Sequence, residues 1–351
     1  MEKIIIKSAI IADGTREYKS DVLIENGKIV KIAEGISSDG AREIKGKNLA
    51  VLPGLFDMHV HFRDPGFTYK EDIKTGCQAA LAGGVTGVLC MPNTKPTIDN
   101  PETVKYILGE AKGTGVKVCV TGCITKNMES KELCNYDELK NAGAIALSDD
   151  GRPVRNAELM RQALAKTNKN GLFITSHCED LDIINHGIIN KGNISEKLGV
   201  PGMDRASEDY ITGREIVLAT CENARIHIAH VSTIGSVALI RDAKKRGVKV
   251  TCETAPHYFM YTDEKLLSRD ADYRMNPPLR EEKDRQAIMD AVIDGTIDCI
   301  VTDHAPHAKE EKADFMKSPN GVVGLETSLA ATLTALYHTN KMTLTDIVKR
   351  M

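Results

Sequence analysis

The chain has 351 residues, of which 42% are hydrophobic and 27% are charged, as in globular proteins with a full core. Its formal net charge of -3 argues against a basic surface for nucleic acid or acidic membranes. No apolar run approaches the roughly 20 residues that span a bilayer, and the alternating, charged N-terminus predicts a strand instead of a signal peptide.

The cysteines indicate a reducing environment. There are nine, an odd number, and no two of them form a Cys-x-x-Cys pair. Four lie within apolar segments that read as strands: Cys90, Cys119, Cys252 and Cys299. Buried free thiols in the cytoplasm are therefore predicted, and a disulfide framework is not.

Short strands are predicted for residues 1–52. Lys3–Ala12 is a strand candidate, and Asp21–Glu25 and Lys28–Ala33 flank the dipeptide Asn26-Gly27. Asn-Gly accepts positive φ at both turn positions, so the two flanking segments are predicted to form a hairpin.

A repeated strand-then-helix pattern begins at Val51. Helical periodicity is present in Ala157–Thr167 and Ser236–Arg246, and Asn100-Pro101-Glu102 is a favourable helix start. The candidate strands are Val51–His59, Gly87–Met91, Lys117–Gly122, Ala144–Ser148, Leu172–His177, Arg225–His230, Lys249–Glu253 and Asp298–Thr302. Eight such units predict an α/β fold, a parallel (β/α)₈ TIM-like barrel. A doubly wound open sheet is the alternative that periodicity leaves open, although no glycine-rich phosphate loop accompanies it.

Imidazole or carboxylate groups follow five of the eight predicted strands, at the end where barrel enzymes carry their active sites. The five strand ends are His59-Val60-His61, Asp149-Asp150-Gly151, His177, His230 and Asp303-His304. Two histidines separated by one residue share a face of an extended chain and can hold the same ion. The set predicts a centre for one or two divalent ions, with Zn²⁺ favoured, Mn²⁺ or Co²⁺ possible, and Asp150 as the bridging ligand.

Four other histidines receive no metal role from this pattern. His186, His227 and His338 do not follow predicted strands and are interpreted as structural, and His257 stays unassigned.

Seven motifs, in this order, resemble those of dihydroorotases within the amidohydrolase superfamily. They are the segments 53–66 (PGLFDMHVHFRDPG), 91–94 (MPNT), 148–151 (SDDG), 253–257 (ETAPH), 275–280 (MNPPLR), 302–307 (TDHAPH) and 324–327 (GLET). The resemblance runs through essentially the whole chain. The motifs resemble those of the longer bacterial type of dihydroorotase. In that type an aspartate follows the fourth strand, where hydantoinases carry a carboxylated lysine.

The resemblance implies a reaction and a role for each matching residue. The reaction is the reversible, zinc-dependent hydrolysis of (S)-dihydroorotate to N-carbamoyl-L-aspartate in pyrimidine biosynthesis. His59, His61 and Asp303 would bind one zinc, His177 and His230 a second, and Asp150 both. Asp303 would also be the catalytic proton carrier. Substrate would be held by Arg63, Asn93, Asn276, His307 and the backbone at Gly321-Val322, with Arg63 and Asn93 on its carboxylate.

Two alternatives to this function are weighed. A hydantoinase or allantoinase would act on another cyclic amide, but Arg63 with Asn93 favours a carboxylated substrate. An inactive partner of aspartate carbamoyltransferase would have lost ligands that are all present here. The expected binding partner is a small-molecule substrate. The resemblance also implies a homodimer or a complex with aspartate carbamoyltransferase.

The resemblance also implies a domain division and three departures from the family. Residues 1–52 would be the N-terminal part of a small β domain, 53–340 the barrel, and 341–351 the start of a C-terminal segment. Asp64 stands where glutamate is common, and Asn320 where phenylalanine is usual. Family members continue beyond a segment like 343–351 with strands that pair with 1–52. That half of the β domain is therefore expected to be missing, leaving apolar edges exposed.

Overall fold

The computed structural model describes residues 2–351, which form two compact units. The first unit contains the residues up to Leu55 together with Leu336–Met351. The second unit is Phe56–Ala335.

The first unit is built on a five-stranded sheet with the order β3-β2-β1-β4, in which β5 also pairs with β1. Its strands are β1 (Lys3–Ala12), β2 (Glu17–Glu25), β3 (Lys28–Ala33), β4 (Arg42–Lys45) and β5 (Ala50–Val51). Asn26 and Gly27 have φ of 50° and 75°, so the predicted hairpin between β2 and β3 is confirmed.

One part of this sheet is packed and another is open to solvent. Ala9, Ile11 and Val22 form a buried cluster where β1 meets β2. On β3, Ile29, Val30 and Ile32 are 58%, 52% and 43% exposed. Apolar side chains of this strand therefore lie on the surface of the unit.

The second unit is a ring of eight parallel strands in chain order. They are β6 (Leu55–Val60), β7 (Val85–Cys90), β8 (Lys117–Cys123), β9 (Ala144–Ser148), β10 (Ile174–Ser176), and, after the short pair β11 (Ile189–Asn190) and β12 (Gly202–Met203), β13 (Ile226–Ile228), β14 (Val250–Thr254) and β15 (Cys299–Ile300). A parallel bridge between Val60 and His304 joins the first strand to the segment that follows the last strand. The predicted barrel is confirmed and the open doubly wound sheet is wrong.

Helices alternate with these strands. They are α1 (Ile73–Ala82), α2 (Pro101–Glu110), α3 (Tyr136–Ala142), α4 (Ala157–Asn170), α5 (Leu181–Ile184), α6 (Asn193–Leu198), α7 (Ala206–Cys221), α8 (Ile234–Lys245), α9 (Pro256–Met260), α10 (Glu282–Asp294) and α11 (Ser328–Thr332), with α12 (Leu344–Val348) in the first unit. Asn100 caps α2 by accepting a 2.9 Å hydrogen bond from the Thr103 N–H, which confirms the predicted helix start.

Several barrel strands end earlier than their apolar runs suggest. The ladder of β15 covers only Cys299–Ile300, although Asp298–Thr302 is predicted. Past the ladders, Asp303 has φ of 50° and His230 has φ of 33°, values that turn the chain out of a strand. Asp303 and His230 thus stand on the loops just beyond the strands.

Candidate metal centre

The six predicted metal ligands converge at one end of the barrel. They follow or end β6, β9, β10, β13 and β15, and each is at most 6% exposed: His59, His61, Asp150, His177, His230 and Asp303. Eight parallel strands bring their carboxyl ends together, which is why residues so distant in sequence meet.

Asp150 stands between two groups of histidines. Its Oδ1 lies 3.4 Å from Nε2 of His59, 3.5 Å from Nδ1 of His177 and 3.5 Å from Nε2 of His230. Its Oδ2 lies 3.4 Å from Nε2 of His61. Two triads, each with ligand atoms within 4.8 Å of one another, therefore share this one carboxylate. A ligand that bridges two ions needs this arrangement.

Asp303 completes the side of the centre formed by β6. Its Oδ1 lies 3.2 Å from Nε2 of His61 and 3.6 Å from Nε2 of His59. The two histidines of the HxH segment therefore direct the same ring nitrogen toward the same carboxylate. The three side chains can be ligands of one ion.

Two atoms of the centre have no protein partner. Nε2 of His59 and Oδ1 of Asp150 are buried, and neither makes a hydrogen bond to the residues that the structure describes. Leaving a buried polar atom unpaired costs about 1–3 kcal/mol. A cation between these atoms would satisfy both, so the residues present fit a metal ion.

The charges of the centre favour a cation as well. Burial raises the pKa of Asp150, but the charge of His59 and the ring nitrogens of His177 and His230, each 3.5 Å from its Oδ1, more than offset this and hold that pKa well below the usual value. Burial lowers the pKa of His177, yet Asp150 and Glu179 raise it to about 10. The ion-free cluster therefore holds protons at positions where a metal ion would compete with them.

Three further side chains orient the histidines from outside. Nδ1 of His61 lies 2.7 Å from Oδ1 of Asn93, and Nε2 of His177 lies 3.3 Å from Oε2 of Glu179. Nδ1 of His59 lies 2.5 Å from Oε1 of Glu253. Such contacts fix the tautomer and the ring orientation of metal-binding histidines.

The two glutamates were not predicted as site residues. A signal for each exists in the sequence. Glu179 follows His177 at the two-residue spacing that marks His59 and His61, and Glu253 is a charged residue at the end of a predicted strand.

Arg63 and His307, two of the predicted substrate residues, lie together. Nη2 of Arg63 is 3.4 Å from Nε2 of His307, and its Nε donates to the carbonyl of Pro306 at 3.1 Å. Burial lowers the pKa of His307 to about 4, helped by the charge of Arg63. His307 is therefore neutral, and Lys70, which no motif indicated, lies 3.0 Å from its Nδ1.

The remaining predicted substrate residues are placed on neighbouring loops. Asn276 donates to Oε1 of Glu179 at 2.9 Å. Val322 pairs with His304 beside the last strand. A Cβ at Gly321, whose φ is 154°, would lie 2.3 Å from the carbonyl oxygen of Ala305, so only glycine fits there.

Backbone constraint accompanies the site. Arg63 has φ of 60°, as unusual for a long side chain as the values at His230 and Asp303. Each left-handed residue costs on the order of 1 kcal/mol, and such residues cluster at functional sites. A cleft of about 700 Å³ that is lined by Asn93 and Asp150 gives access to the centre.

The histidines without a predicted metal role are not part of the two triads. His186 and His338 are exposed, and His304 pairs with Glu71 at 3.0 Å. His257 is buried and its Nε2 has no hydrogen-bond partner among the residues described. His227, by contrast, lies 3.0 Å from Glu253 and is thus connected to His59.

Residues 48–236 match the family described as dihydro-orotase-like. The chain is 48% identical to a dihydroorotase of Trichlorobacter lovleyi over 353 residues, which cover 99% of this chain and 83% of that protein. A dihydroorotase of Geobacter sulfurreducens is 47% identical with the same coverage. The chain belongs to the dihydroorotase family.

Solved structures place this dihydroorotase-family chain in a wider fold group. An L-hydantoinase from Arthrobacter aurescens superposes with a TM-score of 0.84 at 23% identity, covering 100% of this chain and 81% of that one. A dihydropyrimidinase from Brevibacillus agri superposes with a TM-score of 0.80 at 23% identity, covering 99% and 79%. The likeness establishes the barrel fold. Among residues 2–351, no helix has the length and apolarity that a membrane crossing requires.

Proposed function

We propose that this protein is a dihydroorotase that catalyses the reversible hydrolysis of (S)-dihydroorotate to N-carbamoyl-L-aspartate, a step of pyrimidine biosynthesis. The observation that carries the proposal is the 48% identity to a dihydroorotase across 99% of the chain. The convergence of four histidines and two aspartates, Asp150 and Asp303, in one buried centre supports it, because hydrolysis of a stable ring amide needs strong activation of both water and carbonyl.

The proposed cofactor is Zn²⁺, two ions per subunit, held by the two triads and Asp303. Imidazole and carboxylate ligands in this number suit zinc. When bound, such ions polarise an amide carbonyl and lower the pKa of water to about 7. Metal analysis of the purified protein tests the number, and a ratio of two zinc ions per chain is expected.

Asp303 is the proposed proton carrier. Burial raises the pKa of its carboxyl, but the hydrogen bond from His61 and the charges of nearby histidines lower it further than burial raises it. The group is therefore ionised at neutral pH and able to accept a proton. In ring opening it would take one from the attacking water and pass it to the departing ring nitrogen.

The substrate carboxylate is proposed to bind between Arg63 and Asn93. Arg63 offers a permanently charged, planar pair of donors beside His307. Because Oδ1 of Asn93 faces His61, its Nδ2 amide remains available as a donor toward the cleft. Asn276, His307 and the backbone at Gly321-Val322 are proposed to hold the rest of the ring. These contacts select a carboxylated ring over an uncharged hydantoin.

Hydrolysis of dihydroorotate, followed by ultraviolet absorbance with zinc-supplied protein, tests the function. Asp303→Asn is expected to lower kcat by at least 100-fold, whereas Asp242→Asn, on the exposed face of α8, should keep wild-type activity. A folded, zinc-loaded wild type that turned over hydantoin but not dihydroorotate would overturn the proposal.

The cytoplasm is the proposed location, since all nine cysteines are unpaired and most are buried. A homodimer or a complex with aspartate carbamoyltransferase is the proposed assembly, on the family resemblance alone. Light scattering of the protein, alone and mixed with aspartate carbamoyltransferase from the same source, tests it. A monomer in both samples would contradict the proposal.

A further inference from the structure

Glu253 lies inside the barrel with no exposed surface, on β14. Both of its carboxylate oxygens are engaged by histidines. Oε1 lies 2.5 Å from Nδ1 of His59, and Oε2 lies 3.0 Å from Nε2 of His227. The backbone N–H of His230 also donates to Oε1 at 3.3 Å. One carboxylate thus contacts two of the six proposed metal ligands.

The two nitrogens of His59 face opposite environments. Nδ1 points to Glu253, whereas Nε2 points to Asp150 and Asp303 and has no hydrogen-bond partner in the described part of the chain. An ionised carboxylate accepts hydrogen bonds and donates none. Nδ1 of His59 must therefore carry a hydrogen, which leaves Nε2 as the nitrogen whose lone pair a metal ion at the centre can use.

His227 fixes the carboxylate from the other side. It lies on β13 directly opposite Thr251 of β14, and its Nδ1 is 2.8 Å from the Thr251 hydroxyl oxygen. Its Nε2 is therefore held toward Glu253. With His59 and His227 on separate oxygens, the glutamate has no freedom to rotate away from the metal side. The contacts thus run from Thr251, which is exposed, through the buried His227 and Glu253 to His59 at the centre.

We infer that Glu253, held in place by His227, is a positioning residue that sets the tautomer and the direction of His59 for metal binding. The inference rests on the proposed metal centre but not on the identity of the substrate. Neither residue is a ligand itself, so both act through His59. Loss of such an outer contact lowers metal affinity or activity about 10- to 100-fold.

A different role for the same residues would be a separate ion site. Sγ of Cys299 lies within 4.8 Å of ligand atoms of His227 and Glu253. However, both oxygens of Glu253 already have hydrogen-bond partners, unlike the unpaired atoms at the main centre. The hydrogen bonds therefore favour a role for Glu253 in positioning His59 over a role as a ligand of a separate ion. Metal analysis of Cys299→Ser distinguishes the two, because only a separate site would lose an ion.

The test compares Glu253→Gln and His227→Asn with Asp284→Asn, which alters a fully buried carboxylate on α10 that pairs with Arg205. Zinc affinity is measured by competition with a chelator, and the geometry of the centre by the visible spectrum of the Co²⁺-loaded protein. Glu253→Gln should bind zinc about 10- to 100-fold more weakly with a changed Co²⁺ spectrum, and His227→Asn should shift both in the same direction. Asp284→Asn should match the wild type in both.

Saturating metal separates positioning from substrate binding. In excess zinc, Glu253→Gln should retain the wild-type KM and show a lowered kcat. If Glu253→Gln bound zinc with an affinity within twofold of the wild type, the inference would be overturned. Loss of an ion in Cys299→Ser would also overturn it. If Glu253→Gln did not fold, wild-type zinc affinity in folded His227→Asn would overturn it. Inactivity of the wild type toward dihydroorotate would refute the proposed function and leave these affinity results valid.

Discussion

Oδ1 of Asn93 lies 2.7 Å from Nδ1 of His61, so one amide side chain connects a proposed metal ligand with the substrate cleft. Asn93→Asp keeps an acceptor for His61 but removes the Nδ2 donor and adds a negative charge near the substrate carboxylate. We expect KM for dihydroorotate to rise at least 10-fold while the zinc content stays at the wild-type value. Kinetics and metal analysis of one preparation check this. A loss of zinc without a change in KM would contradict it.

Arg63 is expected to determine the preference for a carboxylated ring. Arg63→Gln removes the charged fork beside His307 and should lower kcat/KM for dihydroorotate by roughly 100-fold, equivalent to about 3 kcal/mol. The activity toward dihydrouracil, which lacks the carboxylate, should change less than threefold. Arg155→Gln, which removes an exposed ion pair with Asp182, is the control. Equal losses on both substrates would show that Arg63 acts on folding or on the metal centre instead.

Metal removal is expected to destabilise the barrel. An ion that binds only the folded state at 100 to 1,000 times its Kd contributes about 3–4 kcal/mol, which corresponds to roughly 5–10 °C in Tm. Calorimetry with and without a chelator measures the shift. His177→Ala should lose most of this Tm shift, whereas His186→Ala, at an exposed position, should retain the shift. A shift that persisted in His177→Ala would argue against His177 as a ligand.

His257 is expected to weaken the fold in acid. Burial lowers the pKa of this histidine to about 4, with the charge of Asp303 opposing and that of His230 assisting. Below the ordinary pKa of about 6.5, the unfolded chain takes up a proton that the folded chain refuses. Stability is thus lost as the pH falls from about 6.5 toward 4.

Urea unfolding of the metal-free protein at pH 6.5 and pH 5 measures this loss. Between these two pH values, the free energy of unfolding should fall by about 2 kcal/mol less in His257→Gln than in the wild type. The figure follows from about 1.4 kcal/mol per pH unit for one proton. An unchanged fall would mean that His257 titrates in the folded state as it does in water.

The sequence predicted the barrel and the residues of the centre for a physical reason. Parallel strands bring their carboxyl ends together, so polar residues after apolar strands must meet, as His59 and His230 do. The contacts of Glu253 could not be predicted in this way. They depend on the side-chain direction along β14 and on the register that places His227 opposite Thr251. The apolar pattern of a strand specifies neither the direction of a side chain nor the register between two strands.

Strand lengths were the least predictable part of the barrel. The strand was predicted to continue to Thr302, yet the ladder of β15 ends at Ile300. The backbone N–H of Thr302 instead donates to the carboxylate of Asp57, at 3.1 Å from its Oδ2. A side chain thus replaces the ladder partner, and apolar periodicity does not report such an exchange.

The bridge between Val60 and His304 has a consequence for the order of events during folding. His61 and Asp303, on either side of this junction, are 242 positions apart in the chain, and they can meet only after every intervening strand has taken its place. Contacts of such long sequence separation form late and slowly. The part of the centre that His59, His61 and Asp303 form is therefore assembled last, and uptake of an ion there during refolding would report the moment at which the ring closes.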